Sequence, residues 1–131
     1  MGARKGKIAE ERKEARKTQY IARLNNCPSS PRKMRLVADL VRGIDVVKAS
    51  NILQFHKQAA SNKLEKLIWS AVANFEEKSG ENWENSGLFV KEIQVDGARM
   101  LKRIKPRAQG RANRIRKRSN HVTLVLGTQE Q

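Results

Sequence analysis

An α+β fold is predicted by three features of the chain. A short alternating strand lies near its start, three helical segments carry apolar residues in register, and two alternating strands are joined by a long basic connection. At 131 residues with 38% hydrophobic content, the chain suits one domain around one modest core. The organisation expected is a basic N-terminal tail over residues 1–18, a single domain over 19–127, and a C-terminal tail over 128–131. Within the domain the basic connection becomes an extended hairpin over about residues 97–120.

The N-terminal tail mixes Lys and Arg with Glu10, Glu11 and Glu14 and has almost no apolar residues. It is expected to be mobile or weakly helical in isolation. Residues 19–25 put Tyr20, Ala22 and Leu24 on one face of an extended segment and Arg23 and Asn25 on the other, which is a strand pattern. Ser30 can cap a helix that Pro31 opens at no cost, because a first-turn N–H has no intrahelical partner. Met34, Val37, Ala38 and Val41 recur at i, i+3, i+4 and i+7, and Gly43 supplies a stop, so this helix is predicted over 31–42. Asp45 can cap a second short helix through about residue 54. The third, over 57–78, keeps Ala60, Leu64, Leu67, Ile68, Ala71, Val72 and Phe75 in register and is closed by Gly80.

Residues 88–95 and 121–126 read as strands that pair with each other. Placing Val95 opposite Val122 and Ile93 opposite Leu124 keeps those four side chains and Leu126 on one face, and centres the connection near Ala108 and Gln109. Pro106 and Gly110 then flank the apex with turn chemistry. From Val95 to the apex is 14 residues, or about 45 Å of extended chain. An arm of that reach projects beyond a domain of this size. Its sides carry Arg99, Lys102, Arg103, Lys105, Arg107, Arg111, Arg114, Arg116, Lys117 and Arg118, and such a run of cations is buried only against anions.

The charge follows the same division. The chain holds 28 Lys plus Arg against 13 Asp plus Glu, a net of +15. Residues 1–18 contribute +4, residues 19–96 only +2, and residues 97–131, with ten basic residues and Glu130 as the lone acid, +9. A polyanion partner bound by a local element is the natural reading. A further basic cluster, Arg32, Lys33 and Arg35, lies on the polar side of the first helix, where a solvated face and a contact with the same polyanion are both open readings.

Enzymatic chemistry finds no foothold. Cys27 is the sole cysteine, which excludes an intramolecular disulfide and a cysteine-based zinc site. His56 and His121 lie far apart and read as structural, and no nucleophile and base, carboxylate pair or phosphate-cradling glycine loop is present. No cofactor and no metal are expected. Aromatic residues make up 5% of the chain, and neither Trp69 nor Trp83 lies in an alternating aromatic strand, so a base-stacking platform is disfavoured. No apolar run approaches the ~18 residues of a membrane span, and the N-terminus lacks the apolar stretch of a leader peptide.

The segment KRIKPRAQGR at 102–111, followed at fixed spacing by HVTLVL at 121–126, resembles the hairpin and closing strand of the bacterial large-subunit ribosomal protein family numbered twenty-two. SPRKMRLVAD at 30–39 resembles that family's first helix and AVAN at 71–74 its third, so the resemblance covers about residues 19–127 in order. It implies three helices packed on a three-stranded antiparallel sheet, with a long hairpin reaching through ribosomal RNA to the wall of the nascent-peptide exit tunnel. It also implies that Leu101, Lys102 and Arg103 fall in the hairpin segment whose alteration is associated with macrolide resistance. Arg107, Ala108, Gln109, Gly110, Arg111 and Ala112 would form the tip. Three places depart from the family's pattern: Gln109 stands where a basic residue is frequent, the tail over 1–18 is not typical, and the loop 80–87 with Trp83 has no matching motif.

The expected partners are large-subunit ribosomal RNA, neighbouring large-subunit proteins and the nascent peptide, with the chain acting as a monomer inside a cytoplasmic ribosome. The main rival is a DNA-bending architectural protein, which also uses basic β-arms. Those arms work in pairs from a dimer, whereas this chain offers no evident apolar surface left over for dimerisation. A small enzyme with an unrecognised site is the rival from another class.

Overall fold

In the computed structural model, which describes residues 2–17 and 19–128, the chain runs α1 (Gly2–Lys17), β1 (Tyr20–Cys27), α2 (Pro31–Val41), α3 (Val46–Phe55), α4 (Ala59–Ser79), a 3-10 turn (Trp83–Asn85), β2 (Leu88–Pro106) and β3 (Ala112–Thr128). Residues 129–131 of the C-terminal tail and Thr18 at the end of the N-terminal one lie outside the described residues. The sheet has the antiparallel order β1-β3-β2. Strand β3 takes the centre, where a strand paired on both sides suits the alternation of Val122, Leu124 and Leu126.

Val95 pairs with Val122 and Ile93 with Leu124, the register that the apolar alternation predicts. Those four side chains and Leu126 are all buried beneath the helices. Helix α4 lies over β1 and β3, α2 over β2 and β3, and α3 bridges α2 and α4 to β2. Met34, Val37, Ala38 and Val41 of α2 and Leu64, Leu67, Ile68, Ala71, Val72 and Phe75 of α4 form the helical side of the core. The Tyr20 ring meets Phe75 edge-on at 4.6 Å, an arrangement that aromatic quadrupoles favour.

Local signals set most boundaries. Gly43 and Gly80 both take left-handed backbone, φ 76° and 70°, and Gly80 closes α4 by donating its N–H to Glu76 O. Ser30 and Asp45 occupy the N-cap positions of α2 and α3, but neither side chain makes the expected capping bond. Helix α4 starts at Ala59, two residues later than its apolar pattern suggests, because Gln58 is extended (φ −81°, ψ 136°). Strand β1 runs past residue 25 through a bulge to Cys27, with Asn26 at φ 53°. His121 Nδ1 accepts the Asn26 N–H at 3.0 Å, and the buried Asn120 donates from Nδ2 to Ser29 O at 2.8 Å. Residues 120–121 thus hold the turn from β1 into α2.

Of the two states expected for the N-terminal tail, mobile or weakly helical, the structure shows a helix. Residues 2–17 form a helix, made possible by Ala, Arg, Lys and Glu, all strong helix formers. Ile8, its only large apolar residue, is 38% exposed, so α1 adds a fourth helix without adding a core face.

Both outer strands of a three-stranded sheet present unpaired carbonyls, and the helices take them up. On β2, Arg35 donates to Val95 O from Nε and Nη2 at 3.2 and 2.9 Å, and Arg42 donates to Ile93 O at 3.1 Å. Farther along the same edge, Gly43 N–H bonds Val90 O and Val90 N–H bonds Ile44 O. At the other edge, Asn74 donates to Ile21 O of β1 at 3.1 Å and Lys78 to the O of Gln19, just before β1, at 2.9 Å, one helical turn apart. Helices α2 and α4 are therefore fastened to the edges by side chains as well as laid on a face.

Two stability changes follow. Leu67→Ala leaves a cavity beneath α4, and a chemical melt should register a loss of about 2–5 kcal/mol. An unchanged midpoint would mean that α4 does not bury this face. Asn74→Ala strips the Ile21 carbonyl of its donor and should cost about 1 kcal/mol in the same measurement.

Candidate nucleic-acid interface

Beyond the core β2 and β3 continue as a free two-stranded arm, paired from Leu101↔Lys117 to Pro106↔Ala112. Every residue over 101–118 is exposed. A bulge between Ala98 and Leu101 places Arg99 and Met100 against the single residue Arg118 at the arm's root, which kinks it where it leaves the domain. The tip is closed by Arg107 N–H to Arg111 O at 2.7 Å and Arg111 N–H to Ala108 O at 3.3 Å. Gln109 and Gly110 supply left-handed backbone there, φ 59° and 68°. Ala112 begins the return strand.

The register decides which charges share a face. Leu101, Arg103 and Lys105 lie with Lys117, Ile115 and Asn113, while Lys102, Ile104 and Pro106 lie with Arg116, Arg114 and Ala112. Cations therefore stand on both faces. Lys102 is directly opposite Arg116, a like-charge pair that destabilises a ladder unless an anion lies between the two. Ile104, 72% exposed, sits among the cations of that second face. Such an arm suits a partner that surrounds it with phosphates.

The three α2 residues separate. Arg32 and Lys33 are exposed in the first turn, whereas the Arg35 guanidinium is committed at two nitrogens to Val95 O. Lys33 comes beside Arg116, Lys117 and Arg118 around one open cavity at the arm's root. The helix face and the arm, far apart in sequence, thus form one basic surface. Sequence reasoning missed Pro28, Leu36 and Gln58 in the same cavity. The available signal was Leu36, an apolar residue among Arg32, Lys33 and Arg35, off the buried face of α2. It likewise missed Arg42, Asn74 and Lys78, whose partners are backbone carbonyls that no pattern reveals. Trp83 of the loop 80–87 packs edge-on against Trp69 of α4 at 5.4 Å. No helix among the described residues is long and apolar enough to cross a membrane.

Comparison with known proteins agrees with this architecture. The family model described as ribosomal protein L22p/L17e matches residues 22–127. The large ribosomal subunit protein uL22 of Flavobacterium johnsoniae is 65% identical over 128 residues, covering 97% of this chain and 93% of its own. That of Christiangramia forsetii is 64% identical over 97% and 95% of the two chains, and that of Porphyromonas gingivalis 57% identical over 98% and 96%. These alignments take in nearly all of the N-terminal tail, which the family model leaves out, so the tail is shared with such relatives. A match that spans the whole folded domain, arm included, leaves one conclusion: the chain belongs to the ribosomal protein L22p/L17e family.

Proposed function

We propose that the chain is a structural, non-catalytic constituent of the large ribosomal subunit in the cytoplasm, present as a monomer and bound to ribosomal RNA and neighbouring ribosomal proteins. The observation that carries the reading is the exposed arm with cations on both faces and Lys102 opposite Arg116. A strand ladder of that charge is stabilised by phosphates on either side, so the arm fits a passage between RNA segments better than a single groove. Arg99, Lys102, Arg103, Lys105, Arg107, Arg111, Arg114, Arg116, Lys117 and Arg118 hold the backbone there, with Arg32 and Lys33 on α2. Arg35 serves RNA only through what its bond to Val95 O leaves over.

The tip, Arg107 to Ala112 with Ala108, Gln109, Gly110 and Arg111, reaches the wall of the nascent-peptide exit tunnel, and Leu101, Lys102 and Arg103 flank the approach. Two features support this reading: resemblance to the family's hairpin, and a tip whose short side chains Ala108, Gly110 and Ala112 leave space for a passing peptide.

RNA binding should be strongly salt-dependent. With five to ten phosphate contacts, log affinity against log salt should fall with a slope of roughly −4 to −9 in a filter-binding titration on ribosomal RNA. A slope near zero would sink the reading.

The arm's role can be isolated because it lies outside the core. Arg103 and Ile115 are direct partners, four residues along each strand from the Arg107–Arg111 closure. Replacing residues 104–114 by Asn-Gly therefore keeps the register with a turn suited to a tight hairpin. The shortened chain should still melt cooperatively and enter large subunits, while cells carrying it change in macrolide response or nascent-peptide stalling. Loss of folding would place the arm in the core. Normal assembly with unaltered drug response and stalling would remove its tunnel role.

A further inference from the structure

We propose that the groove at the root of the arm holds a single nucleotide extruded from an RNA helix, its base against Leu36 and Leu101 and its phosphate between Lys33 and Lys117, which shares the Leu101 face of the ladder. This deepens the RNA-binding reading above and rests on it. The groove is an open cavity of about 910 Å³, at the upper end of the roughly 300–1,000 Å³ typical of small-ligand sites. Its lining is mostly apolar and would serve as the floor. Pro28, Leu36 and Leu101 come from three separate segments and line the same space, with Leu36 62% and Leu101 55% exposed.

Its cations, Lys33 and Lys117 among them, would serve as the rim, and no acidic residue among the described residues lines the cavity. Helices α2 and α4 both begin at it, through Ser30 and through Gln58 and Ala59. Neither carries an acid in its first turn or a capping side-chain bond, so the positive ends of both helices add to the field.

Duplex RNA satisfies only half of this surface. Its phosphates can meet the rim, but its bases are stacked inside the helix and cannot reach the floor, which leaves two leucines in water. An unpaired nucleotide presents a flat apolar ring joined to a phosphate, matching floor and rim together. The Gln58 amide and the Ser30 and Ser119 hydroxyls stand at the margin, where base edges carry donors and acceptors. An acidic peptide would answer the rim alone.

The test uses the full chain and short RNA hairpins, each with one bulged A, C, G or U, against the same hairpin fully paired. At least one bulged hairpin should bind about three- to tenfold tighter than the paired one, the gain expected from burying part of a base face. Leu36→Lys adds a cation to an exposed helix position. A merely electrostatic surface would then bind every hairpin more tightly, whereas a base-holding groove should lose its preference for the bulge. Leu101→Lys, on the other wall, should do the same, and an unchanged urea midpoint would verify the fold of each variant. Equal affinity for bulged and paired hairpins, or a preference that survives both substitutions, overturns this inference and leaves RNA binding standing. Failure to bind either hairpin overturns both. A poly-glutamate peptide bound as tightly as the bulged hairpin, and lost in Leu36→Lys, would make the occupant an acidic protein segment and refute the nucleotide.

Discussion

The pairing of Val95 with Val122 is the constraint on which the rest of the molecule depends. Side chains alternate along a strand, so this one register commits Ile93, Val95, Val122, Leu124 and Leu126 to the helices. A slip of one residue would turn that face out to solvent. The ladder continues past the core through the bulge at Arg99 and Met100, which shifts the register by one residue, so core register and bulge together fix which cations stand together on the arm. Fold and interface are two lengths of one hairpin.

Helix α2 joins those lengths. Its apolar stripe enters the core, its arginines Arg35 and Arg42 occupy the outer carbonyls of β2, and its first turn offers Arg32 and Lys33 to the surface beside the arm. Asn74 and Lys78 of α4 give the opposite edge, on β1, the same treatment. Unsealed edges invite pairing with other chains. Here each carbonyl bond is modest in net energy, about 1 kcal/mol, but the set also fixes where α2 sits relative to the root of the arm. The position of Lys33 beside Arg116, Lys117 and Arg118 follows from that fixing.

Charge is distributed so that folding and binding do not compete. The near-neutral middle of the chain can bury its apolar faces without bringing like charges together, while the cations are held on an exposed ladder in high dielectric, where mutual repulsion is screened. An approaching phosphate would meet those cations on the exposed ladder, outside the buried core. Leu101, Ile104 and Ile115 are the exposed apolar residues that stand among those cations on the arm.

Periodicity determined most of the fold by itself. The stripe from Met34 to Val41, the long apolar register ending at Phe75 and the alternation about Val95 and Val122 are read from spacing alone, because 3.6 and 2.0 residues per repeat leave few alternatives. The basic arm was legible for the same reason, since ten cations in one C-terminal stretch have no place in a core of this size. The N-terminal helix was not legible in that way, because α1 has propensity without an apolar face. Nor were the caps: Ser30 and Asp45 stand where capping residues should, yet their side chains make no capping bond. Only the tertiary structure committed Arg35 to Val95 O and gathered Lys33, Leu36 and Leu101 around one groove. Those contacts span 60 or more residues of sequence and depend on where a helix comes to rest on a strand edge, a distance and direction that no local pattern encodes.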